Sequence, residues 1–173
     1  MNHPLHEKIG EALSQQFKED FVMDTACGGK HALPLFRDKK SKKTEFCRVD
    51  GIIIKDGKVK IIFEIEEANI KPTQACGKFL ASALSQYYDY GKKRYGLDDS
   101  AMFIQVLDTS KLKENSMKKE QWSNLEKAIQ NIIPVKESRI KKYKLYYFCV
   151  KDDFGAVFKE IKEFLGNGKI PTG

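Results

Sequence analysis

Leu5, Ile9, Leu13 and Phe17 recur at four-residue intervals. That spacing lines them up as one stripe of a helix, and Pro4 suits the first turn, so the pattern predicts a helix from residue 5 to about 16 or 17. The period then disappears. Residues 24–43 hold Gly28-Gly29, Pro34 and a lysine block, and read as loop. Two apolar runs follow, Thr44 to Ile54 and Lys58 to Glu67, which read as the strands of a hairpin. Pro72-Thr73 open a second helix, with Thr73 as N-cap, that extends to about Lys93. Its apolar positions, among them Cys76, Phe79, Ala83, Tyr87 and Tyr88, make a broad face suited to packing on a sheet. Ala101 to Leu107 is almost continuously apolar, as in a strand covered on both faces. After a polar connection over 109–117, Trp122, Leu125, Ile129, Ile132 and Ile133 mark a helix stopped by Pro134. Leu145 to Val150 is the last strand. Asp152 or Asp153 caps a final helix that carries Phe154, Val157, Phe158, Ile161 and Leu165, and Gly166-Asn167-Gly168 ends it. The order α-β-β-α-β-α-β-α predicts an α/β fold in one domain over 1–173: a small central mixed sheet of about four strands, flanked by helices.

The hairpin carries an anomaly. Strands that otherwise read as core contain Asp50, Glu64 and Glu66. Alternation puts Glu64 and Glu66 on one face and Val59, Ile61, Phe63 and Ile65 on the other. The turn decides where Asp50 falls. A two-residue turn at Asp56-Gly57 sets Asp50 opposite Phe63, on the wrong face. A three-residue loop, Lys55-Asp56-Gly57, sets Arg48 opposite Glu64 and Asp50 opposite Ile62, so that Asp50 joins the glutamates; Gly57 supplies the left-handed position this loop needs. Gly51 offers a bulge as another route. Three carboxylates on one face repel unless a cation lies among them, and oxygen ligands without His or Cys suit Mg²⁺, with Mn²⁺ as substitute.

Charge narrows the partners. Lys and Arg exceed Asp and Glu by seven, with a pI near 9.1, which favours an anionic partner, nucleic acid first. Lys39, Lys40, Lys42 and Lys43 form one basic block, and Lys136, Arg139, Lys141, Lys142 and Lys144 another. No apolar run reaches membrane-spanning length, the start has no signal-peptide pattern, and the four scattered cysteines form no CxxC pair. These features read as a cytoplasmic protein with buried thiols and no membrane association. His31 lies in the glycine- and lysine-rich segment before the acidic strands and is a candidate for nucleic-acid contact.

At Asp50, Glu64-Ile65-Glu66 and the helix from Thr73, the chain resembles the PD-(D/E)XK nuclease superfamily. The likeness covers roughly residues 5 to 150. It departs at Val49, where proline is common, and at Glu66, which stands where most members have lysine. Lys78 on the following helix, or Lys71 just before it, is placed to supply a migrated lysine. The resemblance implies that Asp50, Glu64 and the carbonyl of Ile65 bind Mg²⁺, that Glu66 acts on the attacking water, and that an acid from the first helix joins them, Glu11 ahead of Glu7. It further implies a type II restriction endonuclease, a homodimer that cleaves double-stranded DNA to leave 5′-phosphates, with the block at Lys39–Lys43 holding the DNA backbone. The alternatives are a non-catalytic nucleic-acid-binding protein on the same fold, and a Holliday-junction resolvase or repair nuclease.

Overall fold

The computed structural model describes residues 3–67 and 70–166. The elements run α1 (Pro4–Phe17), β1 (Phe21–Met23), β2 (Leu33–Phe36), β3 (Glu45–Val49), β4 (Gly51–Lys55), β5 (Lys58–Glu66), α2 (Pro72–Leu84), β6 (Tyr87–Tyr90), β7 (Lys93–Asp108), α3 (Lys118–Ile132), β8 (Ile140–Phe148) and α4 (Gly155–Gly166). The α/β class with a mixed sheet between helices is as expected. The sheet has eight strands, against the four or so that periodicity predicts.

The additional strands arise where sequence signals are short or ambiguous. β1 has three residues and β2 four. Periodicity has little to act on there, yet β2 is bonded to β3 on one side and β6 on the other. The second helix stops at Leu84, not Lys93. Tyr87 and Tyr88 match a helical face by spacing, but they enter β6, where aromatic side chains suit a pleated surface and Tyr88 reaches the core. Thr73 is not the N-cap of α2: that position is Lys71, and Pro72 takes the first turn. Asp153 accepts the Gly155 N–H at the start of α4, at 2.7 Å. The expected stop at Asn167-Gly168 lies outside the described residues. Cys27 is buried, whereas the other three cysteines are only partly so.

In the sheet the order is β1-β4-β5-β7-β6-β2-β3, and β8 adds to β7. β5 pairs parallel with β7, and β7 parallel with β8. One residue, Asp50, links β3 to β4, yet β5, β7, β6 and β2 separate those two strands along the ladder. The sheet therefore curls, and Asp50 sits at the corner where its far edge returns. Inside the curl Leu33, Leu35, Val49, Ile52, Ile62 and Tyr88 pack with Phe79 and Ala83 of α2 and Trp122 and Ile129 of α3. On the outer face Ile53, Ile61, Phe63, Ile65 and Ile104 pack on Leu5, Ile9 and Leu13 of α1 and Val157 and Ile161 of α4. Burial of both sets removes apolar side chains from water at roughly 25 cal/mol per Å².

Register corrects one expectation and rescues its purpose. Lys55 pairs with Lys58 across a two-residue turn, and Asp56 (φ 54°) and Gly57 (φ 73°) are both left-handed, as such turns require. The three-residue loop does not form, and Arg48 lies beside Pro34 of β2, not Glu64. The odd residue sits at Lys60 instead: Ile54 pairs with Val59 but Ile53 with Ile61. This bulge shifts Val59 onto the face of Ile62, away from Ile61. Beyond it Gly51 pairs with Phe63, which leaves Asp50 alongside Glu64, its N–H donated to the Phe63 carbonyl at 3.1 Å.

Candidate active site

β5 ends in alternation. Phe63 and Ile65 point into the outer core, so Glu64 and Glu66 point to the α2 side. Glu64 is fully buried and Glu66 partly so, with 17% of its side chain exposed. Asp50 reaches the same strand end from the corner: its Oδ2 accepts the Ile65 N–H at 2.7 Å, a backbone donor left over where the ladder stops. Lys78, from the second turn of α2, brings the cation. Its Nζ donates to Glu64 Oε2 at 3.0 Å and lies 3.9 Å from Glu66 Oε1. Pro72 starts α2 six positions after Glu66 ends β5, and Gly77 beside Lys78 leaves the helix surface open there. A groove of about 490 Å³ between β3 and α2, lined by Phe46, Arg48, Gly77 and Lys78, opens Lys78 to solvent.

Four residues outside the expected set, His6, Glu67, Gln105 and Asp24, surround the cluster. His6, in the first turn of α1, sets Nε2 3.6 Å from Asp50 Oδ2, an ion-pair distance rather than a hydrogen bond. Its backbone N–H donates to Glu67 Oε1 at 2.7 Å, and its Nδ1 lies 2.7 Å from the same oxygen. Gln105 of β7 is fully buried and stands beside Glu64 in the parallel register; its Oε1 accepts the Tyr143 hydroxyl at 2.8 Å, and its amide nitrogen has no partner among the described residues. Asp24 adds a further charge close to Asp50, while its carboxylate accepts the N–H groups of Ala26 and Cys27.

The first helix thus contributes His6 and not Glu11. Glu11 is exposed, its carboxylate bonded to Gln15, and Glu7 is exposed too. Five residues separate His6 from Glu11, about 140° around the helix, so one faces the site and the other solvent. Lys71 is exposed and its N–H is bonded to Gln74, away from the carboxylates. His31 hydrogen-bonds Tyr88 and stacks on Tyr90 with centroids 4.3 Å apart. Lys39, Lys40, Lys42 and Lys43 are exposed in the turn between β2 and β3, the full length of β3 from Asp50, or about 16 Å. In the second block Lys142 and Lys144 are paired with Glu160, Lys141 with the Ser138 carbonyl, and Arg139 with the Leu97 carbonyl.

The electrostatics are those of crowded carboxylates with two cations on the flanks. Burial and the charge of Asp50 drive the Glu64 carboxyl well above the ordinary range, against the pull of Lys78. Glu66 is raised, by burial first, with Lys78 opposing. Asp50 stays low: burial acts to raise it, but His6 and the Ile65 N–H outweigh that. Burial also opposes charge on His6, yet Asp50 and Glu67 together carry its imidazole up to about 9, so it is a cation at neutral pH. Despite Lys78, Glu64 Oε1 is buried with no hydrogen-bond partner among the described residues. Lys78 alone does not satisfy this oxygen; a proton held by the raised carboxyl and shared with Asp50, or a cation among the carboxylates, would do so.

The signal for His6 lay in the sequence: it follows Leu5 in the first turn, at the edge of the apolar stripe. Glu67 directly follows Glu66. Neither pairing could be read without knowing that α1 begins against the end of β5. Comparison with known protein families, with curated proteins and with solved structures found no match for this chain.

Proposed function

We propose that the chain is a metal-dependent endodeoxyribonuclease of the PD-(D/E)XK type, acting on double-stranded DNA as a homodimer in the manner of a type II restriction enzyme. The observation that carries this reading is the gathering of Asp50, Glu64, Glu66 and Lys78 at one strand end, with a buried oxygen of Glu64 that has no hydrogen-bond partner among the described residues. The donor set fits a hard divalent cation: Asp50 and Glu64 offer carboxylate oxygens and the Ile65 carbonyl is the natural third ligand, a combination suited to Mg²⁺ or Mn²⁺. When bound by these residues, such an ion would supply neutralisation of the charge that develops on a phosphodiester under attack by water.

The remaining roles belong to the chain's own groups. Lys78 takes the part that most relatives give to the lysine at the position of Glu66, presenting its ammonium from the helix instead of the strand. Glu66, raised by burial, is suited to accept a proton from the attacking water. His6 is a positioning residue: it ties Asp50 to Glu67 and holds Asp50 ionised. The exposed Lys39, Lys40, Lys42 and Lys43 bind backbone phosphates away from the reaction.

Incubation of supercoiled plasmid with Mg²⁺ or with EDTA tests the reading. Discrete linear fragments that need Mg²⁺, and that disappear in Asp50→Ala and Glu64→Gln variants which still bind DNA, are the expected result. A smear would replace sequence-specific cleavage by nonspecific nuclease activity. Cleavage of four-way junctions alone would make the protein a resolvase. DNA binding without cleavage in Mg²⁺ would make it a non-catalytic binder.

A further inference from the structure

A second feature adjoins the carboxylate cluster and shares Glu67 with it. Where β5 and β7 end, a cavity of about 400 Å³ opens between Glu67 and the segment after Asp108. Lys111, Lys113 and Lys118 stand in its wall, and Trp122 closes it. Both carboxylates on the wall are already engaged. Glu67 accepts from the His6 backbone and lies against its ring, and Asp108 accepts from the Ser110 N–H and hydroxyl at 2.8 and 2.7 Å. The side chains of Lys111 and Lys113 have no ion-pair or hydrogen-bond partner among the described residues. The cavity also meets the start of α3, a fifteen-residue helix whose N-terminal dipole adds positive potential, although the Ser116 hydroxyl already accepts the first of its N–H groups, that of Lys118. Trp122 is 2% exposed, and its buried indole N–H has no hydrogen-bond partner among the described residues. A buried indole N–H ordinarily finds an acceptor.

We propose that this cavity binds a phosphate of a nucleic-acid strand, adjacent to the one that is cut. The chemistry of the wall selects the ligand. The ammonium groups of Lys111 and Lys113, the positive end of the α3 dipole and the Trp122 indole donor, unpartnered among the described residues, all seek an anionic oxygen acceptor, and the volume suits a group of nucleotide size. The link to cleavage rests on the nuclease reading: Glu67 forms the cavity wall and also holds His6, whose other nitrogen is 3.6 Å from Asp50. A strand anchored in the cavity therefore passes the carboxylate cluster, and the pocket sets which phosphate is presented to it.

The chain contains one tryptophan, so its fluorescence reports this cavity alone. The full chain, in EDTA, is titrated with a 5′-phosphorylated dinucleotide, with the same dinucleotide lacking the phosphate, and with inorganic phosphate. A saturable change in emission with the phosphorylated dinucleotide is expected, at least tenfold tighter than with either control. Lys111→Gln/Lys113→Gln should weaken it tenfold or more while leaving the emission of the free protein unchanged, and Asp50→Ala should leave it intact. No response, or a response that survives loss of both lysines, overturns the proposal. Saturation by inorganic phosphate as tight as by the dinucleotide also overturns it, since the cavity would then be a site for the free ion. Because no metal or cleavage is needed, a protein that fails to cut DNA but gives the expected titration keeps the pocket and loses only the nuclease assignment. The converse result keeps the nuclease and loses the pocket.

Discussion

At the residue scale the questions concern Glu66 and Lys78. Lys78, twelve positions beyond Glu66, still meets Glu64 at 3.0 Å, because α2 crosses the end of β5. Lys78→Ala should reduce Mg²⁺-dependent cleavage by about 10²–10⁴-fold, the scale of a lost acid–base or charge-stabilising group, and Glu66→Ala should fall in the same range. Glu66→Lys should cleave no better than Glu66→Ala and should bind Mg²⁺ more weakly, because it puts a second ammonium among the ligands, next to Lys78. Rates from a plasmid nicking assay and Mg²⁺ titration check both. Cleavage by Glu66→Lys beside an inert wild type would instead establish the non-catalytic binder. His6 yields a prediction about stability. Its folded pKa of about 9 lies above the unfolded value of about 6.5. Its contribution is therefore fully present below about pH 6.5 and is lost as pH rises through 9. The gap corresponds to an upper bound on the order of 3 kcal/mol. Urea denaturation in EDTA should find His6→Gln less stable than wild type at pH 6, and the difference should be nearly gone at pH 10.

At the scale of elements, the bulge in β5 decides whether the site exists. Without the extra residue at Lys60, the two-residue turn would place Asp50 opposite Phe63, facing away from Glu64. The bulge is pinned by an ion pair, Lys60 Nζ to Asp98 Oδ2 at 2.6 Å, with Asp98 also accepting from the N–H and hydroxyl of Ser100. Burial acts to raise the Asp98 carboxyl, but these partners pull it down to about 2. A depressed pKa contributes stability that is present above the unfolded value near 4 and is lost as pH falls through 2. Asp98→Asn should therefore cost about 1–2 kcal/mol at pH 7 and almost nothing at pH 2, as measured by chemical denaturation at the two pH values. The edge of the site is also shaped by Gly51, where a Cβ would lie 2.7 Å from the ring of Phe21. The corner at Asp50 and the Phe21–Phe63 contact thus have room for glycine alone.

For the whole molecule the net charge of +7 is the dominant property. It is unevenly used: the block at Lys136–Lys144 is largely consumed by internal pairs, whereas the Lys39–Lys43 turn is exposed. Exposed lysines that meet DNA phosphates release counterions, at about 0.9 per contact in the slope of log K against log salt. Replacing Lys39, Lys40, Lys42 and Lys43 by Gln should flatten that slope by about 3–4 and weaken binding across all sequences alike, as read from DNA binding between 50 and 200 mM salt. A sequence-selective loss would assign base contacts to the turn instead of phosphate contacts.

Some of this was settled by the sequence alone. The stripe at Leu5, Ile9 and Leu13, the alternation over Ile61–Glu66 and the apolar run at Ala101–Leu107 each state a local period, and a period decides which side chains share a face without reference to the rest of the chain. That sufficed for four helices, the α/β class and the shared face of Glu64 and Glu66, and it brought Lys78 into view on the polar side of α2. Tertiary structure decided what no local period encodes. Residues 87–96 became a β-hairpin because β2 and β5 lay ready to pair with it, overriding a spacing that also fits a helix. Asp50 reached Glu64 through a bulge at Lys60 that leaves no mark on an alternating pattern. His6 displaced Glu11 because the direction in which α1 meets the sheet, set by packing of its apolar stripe, determines which of two faces of the same helix looks at the carboxylates.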